Sequence, residues 1–216
     1  AVQHFMDLII RSASAEALGI DVKVIDAMRH AEDRIPEEFG TKPRIEAAVR
    51  LMLGRTRGSL GDFLGSQKDL DRAKELRLQF AAADSPEILE VRGEIGNLLR
   101  ARGALEDADR ELSAVLAARR AALGSSHSRH LVHDIVGLAH VKQMLGRFAE
   151  SRTLYEEAAG IQEKDPEGRK NEIAITLTSL GTCINAGEAA DEKVDATAVF
   201  RRALRHYDEA GVPDSM

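Results

Sequence analysis

The sequence predicts an all-α protein built as an α–α superhelix, a solenoid of antiparallel helix hairpins. Three observations lead there. A large–small pair recurs at a nearly fixed interval: Leu53-Gly54, Ile95-Gly96, Leu138-Ala139 and Leu180-Gly181, with spacings of 42, 43 and 42. A second series follows each pair at helical spacing: Ser66, Leu70 and Ala73; Ala108, Leu112 and Val115; Ser151, Tyr155 and Ala158; Ala196, Phe200 and Ala203. Between the two series stand Gly61, Gly103 and Gly146, each followed two residues later by Phe63, Leu105 or Phe148. A period of ~20–50 residues is the mark of a repeat array, in which a hairpin buries its apolar stripe only against its neighbour. Small residues recur because only they let two helix backbones approach closely.

Composition agrees. Aromatic residues make up 4% of the 216, there is no Trp, and Ala, Leu, Glu and Arg dominate. These are strong helix formers. The net charge of −6 argues against a nucleic-acid surface, which needs a basic stripe. One Cys excludes an internal disulfide framework. No apolar run approaches the ~18 residues of a membrane span, and no signal peptide is visible. No membrane contact is expected of this segment. A start at Ala1 rather than Met is expected of a piece of something longer.

In order, residues 3–11 read as a short helix, 12–19 as a linker, and about 21–38 as a second helix. Val22, Ile25, Met28 and Ile35 lie on one face of that helix, and Pro36 should bend or terminate it. Residues 1–40 thus form a helical lead-in. Gly40-Thr41-Lys42-Pro43 is a break, with Pro43 suited to the first position of a new helix. Residues 41–210 should hold four hairpins, at about 43–83, 86–123, 128–164 and 168–209, stacked as one solenoid domain. Ser85 should cap the second hairpin with Pro86 at its first helical position. Gly124 should end that hairpin, and Gly168 lies near the start of the fourth. In the fourth hairpin the turn within 185–195 is three residues longer, with a loop at 187–191.

These positions resemble the tetratricopeptide repeat, with its Leu-Gly pair in the first helix and Ala-x3-Phe-x2-Ala in the second. Leu180-Gly181 and Ala196-x3-Phe200-x2-Ala203 match it most fully. The usual repeat is ~34 residues. The roughly 8 extra residues here amount to about 12 Å of helix. Such a length resembles the long repeats of kinesin light chains, as does the join Leu123-Gly124-Ser125-Ser126-His127-Ser128, where Ser128 replaces the usual Pro. Kinesin light chains carry Asn pairs on groove-facing first helices. Leu51-Met52, Gly93-Glu94, Val136-Gly137 and Thr178-Ser179 stand there instead, so their cargo specificity does not carry over. A second resemblance covers the N-terminal third. Phe5-Met6-Asp7, the run from Gly19 to Val24 and the run from Ile45 to Thr56 are similar to the lead-in of the repeat region in bacterial serine/threonine protein kinases. No kinase motif is present, so the segment is expected to be non-catalytic and to use no cofactor.

The resemblance implies that the first helices line a concave groove whose contacts come one residue after the small residue and about a turn beyond it. Those positions are Arg55, Asn97, Arg100, His133, His140, Gln143, Thr182 and Asn185. Arg suits carboxylates and Asn suits a peptide backbone, so an extended acidic peptide or an acidic partner helix is the expected ligand. The expected role is a protein-interaction or sensory module, a signalling scaffold from a bacterial kinase-like regulator. The alternative is a receptor domain for a small ligand or signalling peptide. Placement follows the parent: cytoplasmic if free-standing, extracytoplasmic if a membrane span precedes.

Other candidate chemistry reads as ordinary structure. His127, His130, His133 and His140 could gather around a metal, but no Cys or carboxylate completes a ligand spacing. Cys183 reads as a small buried thiol. The Ser125–Ser128 stretch lacks the context of a catalytic triad. Gly54-Arg55-Thr56-Arg57-Gly58 lies mid-helix, where a phosphate loop cannot form.

Overall fold

The computed structural model describes residues 32–123, 129–165, 169–187 and 196–211. Among them are nine α-helices and no strand: α1 (Ile35–Phe39), α2 (Pro43–Ser59), α3 (Phe63–Leu78), α4 (Pro86–Ala101), α5 (Leu105–Leu123), α6 (Arg129–Met144), α7 (Phe148–Lys164), α8 (Lys170–Gly187) and α9 (Ala196–Glu209). The expected helix at 3–11, the linker, the start of the second helix, the join at 124–128, Gly168 and the long loop after Gly187 lie outside the described residues. The chain forms two compact units, one through Arg102 and one from Gly103. The boundary falls inside the second expected hairpin.

Local chemistry sets the helix ends. Pro43 and Pro86 open α2 and α4, where the missing N–H breaks no helical bond. Ser85 caps α4 by accepting from the Ile88 N–H, and Asp62 caps α3 by accepting from the Gly65 N–H. The break expected at Pro36 is present: residues 32–33 are helical, Arg34 is a turn, and a new helix, α1, starts at Ile35 with Pro36 in its first turn, a position that tolerates proline. At the ends of α2 and α6 the Asp62 and Arg147 amides reach back to the Arg57 and Lys142 carbonyls, at 2.9 and 2.8 Å. This closure needs a left-handed residue, and Gly61 and Gly146 supply it with φ of 82° and 73°.

In the first unit, α1 packs on α2, α2 on α3, and α4 on both α2 and α3. Ile35 and Phe39 close over Val49 and Leu53. Full burial of such a side chain is worth about 1.5–3 kcal/mol. A second cluster joins Leu51, Leu70, Ala73, Val91 and Leu98. Beside it lies a buried ionic network. Arg57, 2% exposed, donates to Asp69 at 2.8 Å and to Glu32 at 2.6 Å. Arg50 reaches the same two carboxylates at 2.7 and 3.1 Å, and Lys68 binds Glu32 at 2.7 Å. Burial by itself would raise the Glu32 carboxyl, but hydrogen bonds from Lys68 and Arg57 bring it down to about 2. Asp69 is pushed above the usual range, because its burial outweighs both arginines.

In the second unit, α5 packs on α6, α6 on α7, α7 on α8 and α8 on α9. Ala139, Tyr155, Ala159, Ile173, Leu177, Leu180, Cys183, Ile184, Ala196 and Ala203 form its core. The Cys183 thiol is fully buried, 3.6 Å from the Phe148 carbonyl oxygen. A buried Arg119–Asp134 pair ties α5 to α6. Lys142 of α6 binds Asp109 of α5 and Glu150 of α7, each at 2.9 Å.

Two of the recurring small residues, Gly54 and Gly181, make the close contacts expected of them. A Cβ on Gly54 would come within 2.7 Å of the Leu70 side chain. The opposite helix adds a bond in two hairpins. Ser66 donates to the Gly54 carbonyl at 2.7 Å, and Ser151 to the Ala139 carbonyl at 2.8 Å.

Candidate functional site

Each first helix turns one stripe of side chains to solvent. On α6 the stripe runs through His133, Val136, His140, Gln143 and Met144, and on α8 through Ile175, Thr178, Thr182, Asn185 and Ala186. These spacings of three and four residues keep the side chains on one helix face. The equivalent positions include Ala48 and Arg55 on α2 and Glu90, Asn97 and Arg100 on α4.

In the first unit the stripes of α2 and α4 meet through charge. Arg55 donates to Glu90 at 2.9 Å and to Glu94 at 2.8 Å. Glu90 also accepts from Arg77 at 2.8 Å. Burial favours neutral Arg55, but Glu94 and Glu90 outweigh it and raise its pKa. Burial likewise would raise Glu90, yet Arg77 and Arg55 hold it below the usual carboxylate range. Arg55 is therefore engaged by carboxylates of its own chain, and the acidic-ligand expectation loses one of its two arginines. Asn97 lies one turn past Glu94 and is half-buried. Arg100, also half-buried, keeps a buried Nε with no hydrogen-bond partner.

In the second unit three candidates gather at one side chain. Tyr155 of α7, fully buried, donates its hydroxyl to Gln143 Oε1 at 3.2 Å. The His140 ring meets the Tyr155 ring edge-on, with centroids 5.4 Å apart and planes at 79°. His140 and Gln143 thus line the stripe while bracing the hairpin beneath it. His133 is exposed, two turns before His140 on the same helix. Thr182 is exposed and donates to the Ser179 carbonyl at 2.8 Å; Asn185 is exposed. Among the described residues no group of three His, Cys, Asp or Glu side chains could hold a metal ion. His127 lies outside them.

The groove positions read from the sequence leave out Glu90, Met144 and Ile175, which lie on the same stripes. For Glu90 and Ile175 the signal is present: positions 48, 90, 133 and 175 share one register, of which the groove reading takes only His133.

Residues 88–129 match the family model of the tetratricopeptide repeat. No curated protein matches the sequence. Among solved structures, the chain is similar to kinesin light chain nearly identical TPR-like repeats from Podosopora anserina. One such structure has a TM-score of 0.67 at 16% identity, covering 98% of this chain and 97% of the other. A single-substitution variant of that protein gives 0.70 at 16% identity, with the same coverage. BtubC (BKLC) from P. vanneervenii gives 0.65 at 15% identity, covering 97% of this chain and 78% of the other. No described helix is long and apolar enough to cross a membrane. Residues 88–129 thus match one tetratricopeptide repeat, and the chain has the fold of these TPR-like repeat structures.

Proposed function

We propose that this chain is a non-catalytic protein-interaction module that holds an extended peptide or a partner helix against the stripes of its first helices. One observation carries the reading. The first helices keep a recurrent register of side chains facing solvent, at His133, His140 and Gln143 on α6 and again at Ile175, Thr182 and Asn185 on α8, while the second helices bury Leu70, Ala73, Tyr155 and Ala158 and expose Leu64, Leu78 and Leu204 without such a recurrence. A surface repeated from hairpin to hairpin suits a ligand that runs along it. The resemblance at Phe5–Asp7, Gly19–Val24 and Ile45–Thr56 supports a place within a bacterial serine/threonine-kinase-like regulator.

The test is site-specific photo-crosslinking in extract of the source organism. A crosslinker at Thr182, on the first-helix stripe, should yield a discrete protein adduct. The same group at Thr153, exposed on the second helix α7, should not. Adducts from Thr153 alone would move the working surface to the second helices.

A further inference from the structure

From His133 to Met144 on α6 and from Ile175 to Ala186 on α8, the two stripes of the second unit contain no formal charge; one turn before them the same helix faces carry Arg129 and Glu172. His133, Val136, His140, Gln143 and Met144 on α6, and Ile175, Thr178, Thr182, Asn185 and Ala186 on α8, include no Asp, Glu, Lys or Arg. Charged residues are 31% of the chain, so about three of ten such solvent-facing positions would carry a charge by composition alone. The first unit differs, with Arg55, Glu90 and Arg100 at the matching positions and Glu94 paired to Arg55 beside them. Two large apolar side chains stand open on the uncharged stripes: Met144 is 53% exposed and Ile175 is 54% exposed.

We infer that the α6–α8 surface binds an uncharged, extended peptide segment anchored by an apolar side chain, not an acidic one. The inference rests on the reading of the first-helix stripes as the binding surface and names the ligand chemistry for their second-unit part. Ile175 and Met144 supply the apolar contact, and Val136 lies partly buried between the stripe and the core. Polar groups suited to a peptide backbone lie beside them. Gln143 accepts the Tyr155 hydroxyl through Oε1, which leaves its amide N–H2 as the donating end. The Thr182 hydroxyl gives its proton to the Ser179 carbonyl and keeps its lone pairs for an incoming N–H. The Asn185 amide, exposed one turn on, has both a donor and an acceptor. An acidic ligand would find no fixed cation between His133 and Met144 or between Ile175 and Ala186, and desolvating its carboxylate there would go uncompensated. An uncharged segment loses nothing by that absence, and its affinity should depend little on salt.

The experiment selects binders to the full chain from a random twelve-residue peptide library displayed on phage, then measures the resulting synthetic peptides by calorimetry. The expected peptides are neutral with a recurring large apolar residue. Their affinity should change by less than about twofold when salt rises from about 0.05 to about 0.5 M. Ile175→Asp and Met144→Asp should each weaken binding by about tenfold or more, while Thr153→Ala, on the second helix α7, leaves it within about twofold. Melting curves check that the variants fold. Thr182→Glu puts a charge on the same stripe without deleting an apolar contact, and it should weaken binding as well. Acidic, salt-sensitive peptides lost on Arg100→Ala would overturn this inference while keeping the first helices as the binding surface. Peptides indifferent to every stripe substitution, or no enrichment at all, would overturn both readings.

Discussion

The Phe200 ring occupies the space that a side chain on Gly181 would need. A Cβ there would come within 2.6 Å of the ring atoms Cε1 and Cζ. This contact holds α8 against α9, as Gly54 against Leu70 holds α2 against α3. Gly181→Leu should therefore destabilise the second unit by about 1–3 kcal/mol or more, through forced displacement of the ring. Gly96, buried at the same register in α4, should respond in the same direction when changed to Leu. Thermal unfolding measures both, and a variant melting like the wild type would place its glycine outside a tight contact.

The Glu32 carboxylate is the counter-charge that two buried arginines share with Asp69. Glu32→Gln leaves Arg50 and Arg57 with Asp69 as their fully buried acidic partner. Breaking a buried pair from one side costs on the order of 3–5 kcal/mol. Urea unfolding should show a loss of that order at neutral pH.

The same carboxylate makes a pH prediction. Its folded value, about 2, lies below the ordinary 4.5. Its stabilisation is thus fully present above the unfolded pKa and is lost as pH falls through the folded value. Asp69, raised by burial, works in the opposite sense: its contribution improves as pH falls through its folded value. The gap in urea midpoint between wild type and Glu32→Gln isolates the Glu32 part. That gap should narrow steadily as the pH is lowered from about 5 toward about 2, and a pH-independent gap would show that Glu32 does not titrate there.

Ser66 and Ser151 each donate to a first-helix carbonyl twelve residues earlier. The sequence places Ala108 and Ala196 at the same register, so the helix contact survives without the hydroxyl. Ser66→Ala and Ser151→Ala should each cost about 1 kcal/mol, the net worth of one hydrogen bond. Chemical denaturation of the single and double variants should show the two losses adding, since the pairs belong to separate hairpins.

Arg55→Ala should barely move stability, by less than about 1 kcal/mol, because the side chain is 41% exposed and its ion pairs are screened. It should also leave Glu90 and Glu94 without that cation, making the first unit's stripe more acidic. Titration of a basic and an acidic test peptide against the variant would show the change as a gain for the basic one.

The order of helices, their turns and their tightest contacts were legible in the sequence. Gly61, Gly103 and Gly146 announced the turns because a left-handed residue is a local requirement that few side chains meet. Ser85 and Pro86 announced a helix start for a similarly local reason. Gly54, Ala139 and Gly181 announced close packing because repeat register carries a contact from one hairpin to the next. The charges were decided only by tertiary structure. Arg57 reads in sequence as part of a glycine-flanked run, yet it is 2% exposed between Asp69 and Glu32. Arg55 reads as an open donor, yet it is met by carboxylates 35 and 39 residues away. Ile175, an apolar residue inside a first helix, stands half in solvent. Periodicity reports the geometry of one helix and its repeat. Whether a charge is solvated, buried or paired depends on which distant side chains the packed helices bring within about 4 Å, and no local pattern encodes that distance.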